Sequence, residues 1–178
     1  MVFEMSLIVV LHNIRSVYNV GAILRTAEGF GVRRVVCAGY TPCLGVGLPH
    51  EQEKLRRQMH KTALGAEELV ECVAEVDLVS FIEVMRQKCI CILALERAVG
   101  AVNLADFRAD FFAQEYALIL GEEVHGIAPE ILEMVDVVLE VPMVGQKESF
   151  NVAVAEGIAL WELTKGGYSS ERPSKMSR

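Results

Sequence analysis

The chain has 178 residues, a hydrophobic content of 52%, a charged content of 23% and a formal net charge of −7. This length and apolar share suit one folded domain with a substantial core and exclude a disordered chain. The acidic balance, with a pI of about 5.2, argues against nucleic-acid binding by the whole surface.

In chain order, short apolar runs alternate with helical patterns. Residues 7–11 read as a strand, 20–30 as a helix and 34–38 as a second strand. A Gly- and Pro-rich loop (39–49), a helical pattern (51–64), a short strand (69–73) and a helix (78–87) follow. Then come strands at 89–95 and 116–120, a short helix at 128–134, a last strand at 137–141 and a last helix at 151–164. Such alternation predicts an α/β fold: a mostly parallel sheet flanked by helices on both faces. Residues 1–165 read as a single domain, and 166–178 as a flexible basic tail. The last helix is apolar on every side (Val152, Val154, Ile158, Leu160, Trp161, Leu163), which predicts burial all round. Either one face packs on a second copy of the chain, as a homodimer, or the helix is central to one large core.

No apolar run is long enough for a membrane span, and Met1–Met5 lacks the basic start of a signal peptide, so a cytoplasmic protein without membrane contact is expected. The five cysteines, Cys37, Cys43, Cys72, Cys89 and Cys91, form no CxxC. Buried reduced thiols are expected rather than disulfides or a metal site. Lys54, Arg56, Arg57 and Lys61 form a basic cluster that reads equally as a local RNA-facing patch or a solvated helix face.

Three polar islands interrupt the apolar pattern, each after a strand, where open parallel sheets bind ligands. In the first, Asn19 suits the N-cap of a helix, Gly21 permits close approach to its first turn, and Arg25 is spaced to share a cleft with Asn19. Helix start and arginine together suit an anion, although a plain cap and a surface arginine account for the same residues. In the second, Gly121 and Gly126 bracket Glu122, Glu123 and His125. These carboxylates suit hydrogen bonding to a ligand or to Arg25, and they also suit a helix dipole. The third runs from Val141 through Met143 and Gly145 to Ser149, Phe150 and Asn151. Gly45 and Gly47 do not make a dinucleotide fingerprint, and no acidic residue follows a second strand as it would need, which argues against a nucleotide-dependent oxidoreductase of ordinary doubly wound topology.

In their order, Asn19–Ala27 with Phe30–Gly31, Gly121–Gly126, and Val141–Gly145 with Ser149–Val152 resemble the SpoU/TrmH family of RNA 2′-O-ribose methyltransferases of the SPOUT superfamily. The resemblance spans residues 5–164. It implies a deep C-terminal trefoil knot, a homodimer, S-adenosylmethionine as cofactor, no metal, and RNA as substrate, tRNA ahead of rRNA. By position it implies Leu95, Gly121, Val141, Met143 and Phe150 around the cofactor. It gives Arg25 the 2′-hydroxyl, Asn19 and Glu123 the orientation of Arg25 or the ribose, and Ser149 and Asn151 the cofactor loop and substrate. The sequence departs from the family pattern at Ser16–Tyr18, where Asp-Pro is frequent, and at Phe150 and Ala153, where Leu and Ser are usual. A catalytically silent RNA-binding dimer and a base-nitrogen methyltransferase of the same superfamily are the remaining alternatives.

Overall fold

A computed structural model of the chain describes residues 6–166. The strands are β1 (Leu7–His12), β2 (Arg34–Ala38), β3 (Glu71–Glu75), β4 (Cys91–Leu95), β5 (Val102–Asn103), β6 (Tyr116–Leu120) and β7 (Val137–Glu140). The helices are α1 (Val17–Gly29), α2 (Pro49–Ala63), α3 (Leu78–Gln87), α4 (Pro129–Leu132) and α5 (Val152–Thr164). The seven strands form one sheet in the order β3-β2-β1-β6-β4-β7-β5, and neighbouring strands are parallel. The expected parallel α/β architecture is therefore present.

Strand alternation divides the core in two. Val9, Leu11, Val35, Leu93, Leu118 and Leu120 share one face with buried residues of α1, α2 and α5. Val10, Val36, Ile92, Ala117 and Ile119 share the other with α3 and α4. Burial on both faces explains why the central strands read as unbroken apolar runs.

Several local expectations shift. Ser16, not Asn19, caps α1, accepting from the Asn19 amide at 3.3 Å. That moves Asn19 into the first turn and frees its side chain. Gly21 serves packing rather than a ligand. A Cβ there would stand 2.5 Å from the Met59 carbonyl oxygen of α2, so glycine lets the two helices touch. The strand expected at 69–73 begins at Glu71, because the chain leaves α2 through left-handed Leu64 and Gly65 and a 3-10 turn at Ala66–Glu68. Likewise, left-handed Cys89 delays β4 to Cys91. The two-residue β5 was too short to leave a pattern.

Helix α5 corrects the expectation of all-round burial. Val154, Ile158 and Trp161 are 51%, 36% and 58% exposed, at helical spacing on one side. Glu156, by contrast, is fully buried. Among the described residues neither of its carboxylate oxygens has a hydrogen-bond partner, and burial pushes its pKa up to about 9. The folded chain therefore keeps a proton that the unfolded chain releases above its ordinary value of 4.5. Stability contributed by this group is highest below that value and falls as pH rises towards 9, by roughly 3 kcal/mol at neutrality. Glu156→Leu is expected to raise stability by about 1–3 kcal/mol at pH 8 and to flatten this slope, as read from urea unfolding at pH 5 and pH 8. An unchanged slope would show that Glu156 does not cause it.

Among the described residues no helix is long and apolar enough to cross a membrane. Of the basic tail expected at 166–178, residues 167–178 lie outside the described residues.

Candidate functional site

The C-terminal ends of β4, β6 and β7 open onto one cleft of about 390 Å³. Leu95 and Glu96 enter from β4, Gly121 to Gly126 from β6, and Val141, Met143, Ser149 and Phe150 from the segment after β7. All five residues expected around a cofactor, Leu95, Gly121, Val141, Met143 and Phe150, line it.

Glycines shape the β6 loop. Gly126 has φ +69° and pairs with Glu122 in an isolated bridge, with its N–H donating to the Glu122 carbonyl at 3.0 Å. A Cβ on Gly121 would stand 2.5 Å from the Gly126 carbonyl carbon and 2.7 Å from its oxygen. A Cβ on Gly126 would meet the Glu96 carboxylate, which accepts from the Ile127 amide at 2.8 Å. The tight loop thus holds β6 against the end of β4; close approach to backbone requires glycine at 121, and the left-handed φ favours it at 126.

A polar chain joins three of the expected catalytic residues. Asn19 Nδ2 donates to Glu123 Oε1 at 2.9 Å, and Asn151 Nδ2 donates to Asn19 Oδ1 at 3.2 Å. Asn151 Oδ1 then accepts from the Ala153 amide at 3.0 Å, capping α5. Because an ionised carboxylate only accepts, Glu123 fixes which way Asn19 points, and Asn19 in turn fixes Asn151. Helix α1, the β6 loop and the start of α5 are locked together.

Beside this chain lies a cluster not expected from the sequence. The Tyr40 hydroxyl donates to Glu122, the His125 ring nitrogen contacts the same carboxylate, and Arg15 Nη2 reaches it at 3.3 Å. The Arg15 guanidinium also stands over the Tyr40 ring at 5.9 Å. Hydrogen bonds from Tyr40 and then His125 hold the Glu122 carboxyl down to about 2. Arg15 rather than Arg25 thus pairs with the carboxylates of this loop. Its signal was its place just beyond the C-terminal end of β1; Tyr40 and Glu96 stand just beyond β2 and β4 in the same way.

Arg25 is exposed and lies on α1 beside Ala22, Thr26, Lys61 and Thr62. Six residues from Asn19, it points roughly 120° away around the helix, and it does not line the β4–β6–β7 cleft. The two residues do not face one cleft within a single chain. Ser149 does line the cleft. In the basic cluster, Arg57 pairs with Glu53 at 2.8 Å and Arg56 pairs with Glu68.

The fold and cleft define a parallel α/β protein with an open cleft at the C-terminal ends of its strands. The chain belongs to the SpoU rRNA Methylase family, whose model it matches over residues 6–161. It is 29% identical over 162 residues to the 23S rRNA (guanosine-2'-O-)-methyltransferase RlmB of Xylella fastidiosa, covering 90% of this chain and 59% of that protein. The chain thus spans somewhat over half the length of such relatives. An AdoMet-bound rRNA methyltransferase from Sinorhizobium meliloti has the same fold, with a TM-score of 0.79 and 23% identity over 94% of this chain and 59% of that one. A structure described as giving insights into the 2-OH methylation of C/U34 on tRNA aligns with a TM-score of 0.72 and 23% identity, over 92% of this chain and 97% of that one.

Proposed function

We propose that this chain transfers a methyl group from S-adenosylmethionine to a ribose 2′-hydroxyl of RNA, and that it works as a homodimer. The observation that carries the reading is the cleft with its polar chain Asn151–Asn19–Glu123, in a chain of the SpoU family. Leu95, Val141, Met143 and Phe150 offer an apolar slot for an adenine, and the main chain around Gly121 and Met143 offers hydrogen bonds. The carboxylates of Glu96, Glu122, Glu123 and Glu148 line the same cleft with one guanidinium, that of Arg97. An acidic surround of this kind suits a cationic sulfonium. When bound, S-adenosylmethionine supplies an electrophilic methyl group.

The residues of the chain then orient the substrate and stabilise charge. Glu123 holds Asn19, and Asn19 holds Asn151 at the edge of the cleft. Ser149 stands on the same edge. Arg25 offers a guanidinium fork, so its role is to bind the substrate phosphate and stabilise charge developing on the 2′-oxygen. The hydroxyl proton leaves to solvent.

Arg25 serves a cleft other than that of its own chain. Thr26, next to it, packs against Gly157 of α5, 3.5 Å from where a Cβ would stand. Helix α1, which carries Arg25, thus packs beside α5, which carries the exposed Val154, Ile158 and Trp161 stripe. Pairing of two copies through α1 and α5 buries that stripe and carries each Arg25 towards its partner's cleft. A trefoil knot formed by the segment between β7 and α5 is part of the same reading.

Transfer RNA is the proposed substrate class, supported by the tRNA-methylation structure, 97% of whose chain aligns with this one. Ribosomal RNA is the second reading, favoured by the RlmB relatives. Mapping 2′-O-methyl sites in RNA from cells with and without the gene tests both. Loss of a single site in tRNA is expected; loss in 23S rRNA alone would select the second reading, and no loss would count against both.

A further inference from the structure

Outside the cleft, three cysteines from three segments converge. Cys37 lies on β2, Cys43 in the loop after β2, and Cys72 on β3. In the parallel register Cys72 is opposite Val35, and Val35 is two residues from Cys37. Period-two alternation therefore sends Cys37 and Cys72 to the same face of the sheet. The loop folds back over that face and brings Cys43 between them. The three sulfur atoms all lie within 4.8 Å of one another. Cys37 and Cys43 are buried, and Cys72 is half-buried on the edge strand of the sheet, which leaves a route in from solvent.

We propose that Cys37, Cys43 and Cys72 form a three-sulfur site for a soft monovalent metal ion, with Cu(I) as the ion that fits it. A metal–sulfur bond of about 2.3 Å in a trigonal plane sets sulfur–sulfur separations near 4 Å. With every side of the triangle within 4.8 Å, no side needs to shorten by more than about 1 Å, which rotation of the thiols supplies. Sulfur-only coordination selects thiophilic ions over magnesium, calcium or manganese. Among the described residues no histidine, carboxylate or fourth cysteine joins the group. A zinc ion would want a fourth ligand, whereas three sulfurs complete a trigonal Cu(I) site.

The site has a mechanical consequence. The loop that carries Cys43 also carries Tyr40, whose hydroxyl donates to Glu122 at the rim of the cleft. The same loop is anchored to β1 by Thr41, which donates to the Leu11 carbonyl at 2.8 Å and accepts from the Ile14 amide at 3.0 Å. An ion joining Cys43 to β2 and β3 fixes the far side of this loop, and so the reach of Tyr40.

The test is an anaerobic titration of the reduced full chain with Cu(I) held by a chromophoric chelator. It is carried out in a Cys89→Ser/Cys91→Ser background, so that the other two cysteines do not compete. Transfer of one Cu(I) per chain is expected, with affinity falling at least tenfold in each of Cys37→Ser, Cys43→Ser and Cys72→Ser. Circular dichroism checks folding, and Cys72→Ala, at the least buried position, gives the most tolerant variant. No transfer to the background protein, or equal transfer to the folded Cys72→Ala variant, would overturn the site. Tight binding of Zn(II) without binding of Cu(I) would overturn the choice of ion.

Discussion

Arg25→Ala is expected to keep S-adenosylmethionine affinity within about threefold and to lower methyl transfer to RNA by roughly 10²–10³-fold, the usual loss when a charge-stabilising donor is removed from an active site. The separation of effects follows from geometry. Arg25 is exposed on α1 and makes no part of the lining of the β4–β6–β7 cleft, so the cofactor does not sense its loss. On the proposed reading, its guanidinium matters only once RNA is present and only where two copies meet. Calorimetry with the cofactor and a radiolabel transfer assay read the two effects independently. Full turnover by the variant would remove Arg25 from the mechanism. Equal loss of cofactor affinity and turnover would place it in the cofactor site instead.

Gly121→Ala is expected to do the opposite. The added Cβ would stand 2.5 Å from backbone carbon and 2.7 Å from backbone oxygen of Gly126, and also 2.6 Å from an Ile127 side-chain carbon. Backbone atoms have no rotamer to retreat into, so the loop between Gly121 and Gly126 must open. That breaks the Glu122–Gly126 bridge and displaces Glu123, which orients Asn19. A strain of about 1–3 kcal/mol in overall stability is expected, with cofactor affinity lowered by more than about a hundredfold, because both walls of the slot shift. A thermal melt and a cofactor titration check the pair. A variant with unchanged affinity would mean that the loop does not wall the site.

Mixing the two variants probes assembly across copies. Each is inactive for a different reason. A heterodimer of the two holds one intact Arg25 and one intact cleft, which come together only if the arginine acts on its partner. Recovery of part of the activity on mixing is therefore expected.

The parallel sheet and the cleft were legible because they depend on local signals. Runs such as Val9–Val10–Leu11 and Leu118–Ile119–Leu120 are apolar on both sides, and polar islands stand at strand ends. What remained hidden depends on tertiary geometry. Gly21 reads as a ligand-approach glycine until Met59 is seen against it. Asn19 reads as a cap until Ser16 takes that place and releases its amide to Glu123. The partnership of Arg15 and Tyr40 with Glu122 joins residues from three separate loops, so no spacing announces it. The cysteine triad escaped for the same reason. Its spacing of 37, 43 and 72 matches no metal motif, and only the register of β2 against β3 brings the sulfurs together. Helix α5 shows the limit of composition most clearly. Its apolar residues imply burial all round, yet within one chain Val154 and Trp161 face outwards while Glu156 is sealed inside. Phe150, where the sequence departs from the pattern that the resemblance implies, lines the cleft.

The most direct measurement is incubation of the full chain with methyl-labelled S-adenosylmethionine and unmodified RNA, followed by complete nuclease digestion and mass spectrometry. The label is predicted in a nuclease-resistant dinucleotide carrying a 2′-O-methyl ribose, because 2′-O-methylation blocks cleavage at that linkage. Label recovered in a base-methylated nucleoside would contradict the ribose chemistry. Cofactor binding without transfer to either tRNA or rRNA would contradict the catalytic reading altogether.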